Sequence, residues 1–402
     1  MAISQNFPDV RPSLNLNFAR SKTLDPRITF ERASIGTYVD ENGLIKTAAA
    51  DEARFDHNPE TGESLGLLIE EQRTNIWQYS SDLNISDNPL YGNWVKSTVI
   101  SNTSISPDGT LTADTISPQA PSSSIIERFT ATAGTTYTFS IYLKRNPESN
   151  DSVLDYFKFF VSWSNNGSTY TGVSLYALVS GFSTTDVLTN EWKRFSFSYT
   201  CPAGAVSMEM GVTNGNSGVG DPPYSVLAWG AQIEAGSFPT SYIPTSGSTV
   251  TRQAERANIT GTNFSDWYNQ DEGTIFLESN TSRNSNLILS SKYIWGLNDG
   301  SSANYIGYSS NRYQTSGGQV SLSHNIESTF KSASSYKKDD FAVSDKGSPV
   351  LTDTSAILPT GIDRLTIGDL EPVGNRRINT TISKLLYYPE RLTNAQLQNL
   401  TK

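Results

Sequence analysis

The chain has 402 residues, 36% of them hydrophobic and 17% charged, with a formal net charge of −10. At about 100 to 200 residues per domain this length predicts two or three cores, and the acidic balance, with no basic stretch longer than a pair, argues against a nucleic-acid partner. No apolar run approaches the roughly 20 residues of a membrane-spanning helix, and "MAISQNFPDVRPSLNL" lacks the basic start and apolar centre of a signal peptide, so a soluble protein made in a cytoplasm is expected, without membrane insertion.

In chain order, residues 1 to 75 read as a small β-rich docking or assembly segment. "PSLNLNFA" alternates Leu14, Leu16 and Phe18 against polar neighbours, and Asn42-Gly43 marks a turn between short apolar flanks. With so few strands the segment is small for a core of its own. It is expected to pack on a later domain or on another subunit.

Residues 76 to 246 read as a β-sandwich. In "TTYTFSIYLK", Tyr137, Phe139, Ile141 and Leu143 share one face of a strand. Phe157, Phe159, Val161 and Trp163 do the same, as do Phe195, Phe197 and Tyr199, and Val206, Met208, Met210 and Val212. Such strands between Gly, Asn and Pro turns predict two packed antiparallel sheets. The lone Cys201 forms no internal disulfide and reads as a buried thiol. "LAWGAQI" closes this unit, and the Pro- and Ser-rich stretch after it reads as a joint, with Arg252 and Arg256 as surface or interface charges.

Residues 247 to 402 read as a second β unit, with strands at "GTIFLES", "NLILSS", "YIWGL", "QVSLSH", "FAVSD", "DRLTIG" and "TISKLLYYP". Thr393 and Gln396 form a capping box, and Leu392 with Leu397 a hydrophobic staple, at the start of a short terminal helix. The fold class is therefore all-β: two tandem jelly-roll-type sandwiches, preceded by a small β-rich segment and ended by a helix.

"FERASIGTYVDENGLIKTAAADEARFDHNPETGESLGLLIEEQRTN", from Phe30 to Asn75, and "WGAQIEAGSFPTSYIPTSGSTVTRQAE", from Trp229 to Glu255, resemble stretches that recur in tail-fibre and other virion structural proteins of tailed bacteriophages. The middle unit is similar to jelly-roll carbohydrate-binding modules. The last resembles concanavalin A-like or laminin-G-like sandwiches, although the acidic calcium clusters of many legume-type lectins have no counterpart here. The resemblance implies a virion structural protein, a tail fibre or appendage adhesin that contacts host-surface polysaccharide and assembles with other virion proteins and with itself, as a trimer. A head fibre or capsid decoration protein is the alternative, and a polysaccharide depolymerase a third.

Catalysis has no positive signal. Glycoside hydrolysis needs two carboxyls about 5 to 10 Å apart, whereas the doublets Glu70-Glu71 and Asp339-Asp340 would face opposite sides of a strand and read as solvated charge. The histidines, His57 in a polar turn and His324 continuing the face of Val320 and Leu322, form neither a metal site nor a triad. No enzyme activity, metal or cofactor is expected. Sugar sites combine aromatic platforms with hydrogen-bonding side chains, and two clusters have that composition. They are Trp163, Asn165, Asn166, Tyr170 and Tyr176, and Trp295, Asn298, Asp299, Tyr305, Tyr308 and Tyr313. Core and cross-strand packing is the competing reading for both.

Overall fold

The computed structural model describes residues 7–84, 98–117, 124–148, 158–175, 188–213, 225–280, 292–301, 303–309, 312–316, 321–323, 329–370 and 377–402. Phe157, Tyr176, Val320, His324 and the stretch "NLILSS" lie outside them. The chain is all-β apart from short helices such as Phe18–Ser21 and Asn394–Leu400, and it divides into two units. One combines Met1–Gln72 with Gln253–Lys402; the other is Arg73–Arg252. The boundaries read from sequence, 75 and 246, thus fall at 72 and 252, and the first and last stretches form one unit.

The unit Arg73–Arg252 is a sandwich. Its five-stranded sheet runs in the order Lys193–Thr200, Thr136–Arg145, Val226–Ala235, Ala113–Ser117, Thr98–Ser104. Its four-stranded sheet runs Ser124–Thr130, Ser207–Thr213, Lys158–Ser164, Thr171–Leu175. The alternation in "TTYTFSIYLK" sends Phe139, Ile141 and Leu143 into a core that the facing sheet fills with Phe159, Val161, Met208 and Met210. Phe139 meets Phe159 edge-on at 5.8 Å between centroids, so the two sheets interlock through rings. Each such side chain contributes about 1.5–3 kcal/mol of burial. Cys201 is also buried in this core, where desolvation pushes its thiol pKa up.

The stretch after Ala235 is a strap across the outer side of the five-stranded sheet. Thr138 Oγ1 donates to Gly236 O at 2.7 Å, Arg194 Nη1 to Thr240 O at 2.6 Å, and Ile243 N to Gln232 Oε1 at 2.7 Å. Thr240 N donates to Glu234 Oε2 at 2.9 Å. Gln232 and Glu234 are fully buried as a result, although they alternate with the core residues Ala231 and Ile233 on the side away from the core. The strap then pairs Val250–Arg252 with Arg73–Asn75. Arg252, read as a surface or interface charge, is buried there and so is not a surface charge. Arg256 is exposed and lies opposite Glu31 in its strand pair.

The other unit stacks an eight-stranded on a seven-stranded sheet around a common core that includes Leu67, Ile275, Trp295, Tyr308, Tyr313, Leu365 and Leu385. Thr380–Tyr388 pairs with Glu272–Asn280 and also with Leu14–Leu16 and Ser64–Ile69. Thr29–Glu31 pairs with Arg256–Thr260. The N-terminal segment therefore packs on the last part of the chain. The strand "PSLNLNFA" ends at Leu16, because Asn17 caps a helix that starts at Phe18.

A buried charge network ties these segments together. Arg54 Nη2 donates to Glu70 Oε2 at 2.8 Å and Arg54 Nε to Glu255 Oε1 at 2.7 Å; Arg32 Nη1 reaches Glu255 Oε1 at 2.8 Å. All four side chains are between 0% and 5% exposed. Glu70 is thus not a solvated charge, since an arginine 16 residues earlier neutralises it in the interior. A Cβ at Gly36 would lie 3.0 Å from Arg32 Nε and 3.2 Å from Arg54 Cδ, so a larger residue there would press on both arginine side chains by a few tenths of an ångström. His57 is buried on the strand Phe55–His57 and not in a turn, with Nδ1 at 3.0 Å from Val39 O. At the chain end, Thr393 and Gln396 make the reciprocal capping box, and Leu392 and Leu397 are buried together.

Candidate functional site

The first aromatic cluster is spread over a sheet rim. Trp163 ends an inner-facing row with Phe159 and Val161, half-buried, and stacks on Tyr199 of the facing sheet at 5.7 Å and 20°. Asn165 and Asn166 are exposed in the following turn, where Asn166 Oδ1 accepts from Ser168 N and Thr169 N, each at 2.9 Å. Asn166 is therefore occupied in shaping the turn. Tyr170 is half-exposed and lies on the outer side of the sheet, so the structure separates it from Trp163.

On that outer side the register sets Arg128 opposite Glu209, and Glu209 opposite Ser162. Arg128 Nε donates to Glu209 Oε1 at 2.8 Å, and Ser162 Oγ donates to Glu209 Oε2 at 2.7 Å. The guanidinium lies 4.3 Å from the Tyr170 ring centroid, and the phenol is within 2.8 Å of Ser207 Oγ. Glu209 is fully buried while the Arg128 side chain keeps 26% exposure. A carboxylate below and a ring above hold the guanidinium in one pose. The result is a fixed aromatic surface beside a fixed hydrogen-bond donor, the pair of features a sugar ring needs.

The second cluster packs inward. Trp295, Tyr308 and Tyr313 are at most 1% exposed and belong to the core, with Trp295 stacked on Tyr308 at 6.3 Å and 13°. Their hydroxyls are taken: Tyr308 donates to Asp345 Oδ1 at 2.6 Å and Tyr313 to Ser335 O at 3.0 Å. Burial, aided by Asp345, pushes the Tyr308 pKa far up. These three rings have no face to offer a sugar, because strand alternation turns them toward the facing sheet. Tyr305 is 7% exposed and packs edge-on to Tyr293 on the other side of its sheet. Asn298 is fully buried, accepting from Gly300 N at 2.9 Å and donating to Thr366 Oγ1 at 3.1 Å. Asp299 alone of the six is half-exposed, its carboxyl pKa lowered chiefly by the Ser301 hydroxyl.

A third aromatic group escaped the sequence reading. Tyr142, Trp229 and Tyr242 cluster on the outer side of the five-stranded sheet, with Trp229 to Tyr242 at 4.4 Å and Tyr142 to Trp229 at 5.7 Å. Trp192 extends it, its indole N–H donating to Ile105 O at 3.0 Å. These residues are up to 100 positions apart and meet only through strand pairing and the strap. The signal available was an aromatic residue one or two positions before a basic pair, in "YLKR" and "WKRF".

Among the described residues no group of three or more His, Cys, Asp or Glu is placed to hold a metal ion, and no helix is long and apolar enough to cross a membrane. The fold defines an all-β protein of packed antiparallel sheets. No protein-family model matches the sequence, and no curated protein matches it. Among solved structures, the chain is similar to the CBM22-1 and GH10 modules of an endo-1,4-β-D-xylanase of Clostridium thermocellum, complexed with xylohexaose. That overlap has 15% identity and TM-score 0.29, over 43% of this chain and 30% of that one. It is also similar to the tandem CBM22 domains of a Paenibacillus barcinonensis protein, at 9% identity and TM-score 0.23, over 78% and 99%. A Trypanosoma rangeli sialidase in complex with 2,3-difluorosialic acid overlaps at 8% identity and TM-score 0.26, over 68% and 52%. All three overlaps are loose; the chain spans about a third of the xylanase and half of the sialidase.

Proposed function

We propose that the protein is a glycan-binding structural component of a tailed-phage particle, a tail fibre or appendage whose Arg73–Arg252 sandwich meets host-surface polysaccharide. The observation that carries the glycan reading is the outer side of the four-stranded sheet, where Tyr170 lies on an Arg128 guanidinium fixed by Glu209. The virion context is supported by the sequence resemblance of residues 30–75 and 229–255, and it includes assembly with other virion proteins and with further copies of the chain. Binding without hydrolysis is supported by the register: Glu127 sits beside Met210, facing the core, and Glu209 beside Arg128, facing outward. Two carboxyls on opposite faces of one sheet cannot flank a single glycosidic bond.

The test is a glycan array probed with the purified chain, paired with inhibition of phage adsorption by the same protein. Binding that Tyr170→Ala weakens by up to about tenfold, the order of one aromatic contact, supports the reading. An array without hits and unimpeded adsorption would sink it, and release of reducing sugar from host polysaccharide would replace it with a depolymerase.

A further inference from the structure

We propose that the Tyr170 surface on the four-stranded sheet selects uncharged glycans and gives acidic ones no advantage. This rests on the glycan reading above and adds to it the class of sugar taken. Three loops meet at that end of the sandwich, residues 130–136, 164–171 and 200–207. Thr130 and Ser164 both stand opposite Ser207 in the strand ladders. Beyond them Ala131 N donates to Val206 O at 3.0 Å, Val206 N to Ser164 O at 2.8 Å, and Gly134 N to Cys201 O at 2.9 Å. The three loops contain no Asp, Glu, Lys or Arg, in a chain of which 17% is charged. Thr130, Thr132, Asn165, Ser168 and Thr169 are exposed there, hydroxyls and a carboxamide that can pair with sugar hydroxyls without carrying charge.

Among the described residues, the charged groups around this surface cancel or face elsewhere. Nε and Nη2 of Arg128 both donate to Glu209 Oε1, at 2.8 Å and 2.5 Å. Nη1 is then the donor a ligand can use, on a guanidinium whose charge is matched one for one. Glu127 lies opposite Met210 and faces the core. Lys158 shares the outer side, but it stands at the far end of its strand, opposite Thr213 and six residues before Ser164. On the facing sheet, Glu234, Arg73 and Arg252 belong to the strap and its partners and are at most 9% exposed.

The ion pair therefore meets a ligand as a neutral unit. A carboxylate brought to Nη1 is drawn by the guanidinium, repelled by Glu209 behind it, and stripped of part of its hydration. A sugar hydroxyl gives up less water and still gains a charge-assisted bond. Tyr170 has one face against the guanidinium at 4.3 Å and its hydroxyl within 2.8 Å of Ser207 Oγ, yet it stays half-exposed. Its other face is thus held ready for the C–H face of the same sugar.

The experiment is array binding on the whole chain, with neutral oligosaccharides, uronate- and sialate-containing ones and the methyl esters of both, followed by calorimetry of the hits. Neutral sugars should be among the hits, each ester should bind at least as tightly as its acid, and affinity should change less than about twofold as salt rises. Glu209→Gln strips Arg128 of its counter-charge and should create what the native surface lacks, an acid-over-ester preference of about fivefold or more that salt erases. An acid that binds the native chain about tenfold more tightly than its ester, with salt weakening it, overturns this inference and leaves the glycan reading standing. An array without hits sinks the glycan reading and this inference with it. Hits that Tyr170→Ala leaves unchanged place the sugar elsewhere and overturn this inference too. Glu209→Gln with an unchanged thermal midpoint and no acid preference would also overturn it, and if that variant fails to fold, the native acid and ester comparison decides.

Discussion

Two stretches of similar composition, rich in Trp, Tyr, Asn and Ser, end up with opposite roles. In the stretch from Ser162, one ring closes the gap between two sheets and another lies outside on a guanidinium. In the stretch from Tyr293, three rings fill the core of a larger sandwich. The difference lies in what each strand faces. Trp295, Tyr308 and Tyr313 stand on strands in a seven-stranded sheet, where a second broad sheet covers one whole side. Tyr170 comes just before the four-stranded sheet's edge strand Thr171–Leu175. Composition proposes a sugar platform; sheet position decides whether one exists.

The contrast can be tested from the strongest effect downward. Trp295→Ala should destabilise its unit by about 3–5 kcal/mol, as expected for a large ring removed from a packed core, measured by denaturant titration. An effect below about 1 kcal/mol would place that ring at the surface and erase the distinction. Arg54→Ala should cost a similar amount, about 3–5 kcal/mol, by removing the buried guanidinium that bridges Glu70 and Glu255 and leaving Glu255 with Arg32 as its ion-pair partner. If Arg54→Met proves harmless, the network is not what joins the N-terminal segment to the last one.

The smaller sandwich has a pH dependence of its own. Asp114 accepts from Leu83 N at 2.7 Å and from Asn102 N at 2.9 Å, yet burial, with Asp82 adding to it, pushes its pKa up from 3.8 to about 6. The folded state therefore holds the proton more tightly than the unfolded state. The stability this adds is complete below the unfolded value near 3.8 and disappears as pH rises through about 6. Thermal midpoints measured from pH 4 to 7 should fall across that window, and in Asp114→Asn the slope should flatten. Least costly to the fold is Tyr170→Ala, expected to change stability by under about 1 kcal/mol and to weaken glycan binding by up to about tenfold, the order of one aromatic contact. A large loss of stability there would make Tyr170 a structural ring after all.

Much of the sandwich was legible because period-two alternation is local: Phe139, Ile141 and Leu143, or Met208 and Met210, announce their inner face within a few residues. The capping box of Thr393 and Gln396 is equally local. What stayed hidden depends on partners far along the chain. Glu70 reads as an ordinary solvated charge because Glu255, which joins it and Arg54 in one network, comes 185 residues later. Gln232 and Glu234 look outward by alternation, and only the returning strap covers them. Of the candidate site, Tyr170 could be named from sequence, but its supports Arg128 and Glu209 could not, since they meet across a strand pair 81 residues apart.

The Arg73–Asn75 and Val250–Arg252 pairing, together with the hydrogen bond from Glu255 N to Glu70 O at 3.1 Å, means that the chain leaves and re-enters the larger unit at almost the same point. Topologically, residues 73–252 are an insertion: the larger unit's strands and charge network lie wholly outside it, so the seam could close without it. A chain joined directly from Gln72 to Gln253 should still fold, as a single cooperative thermal transition of that chain would show.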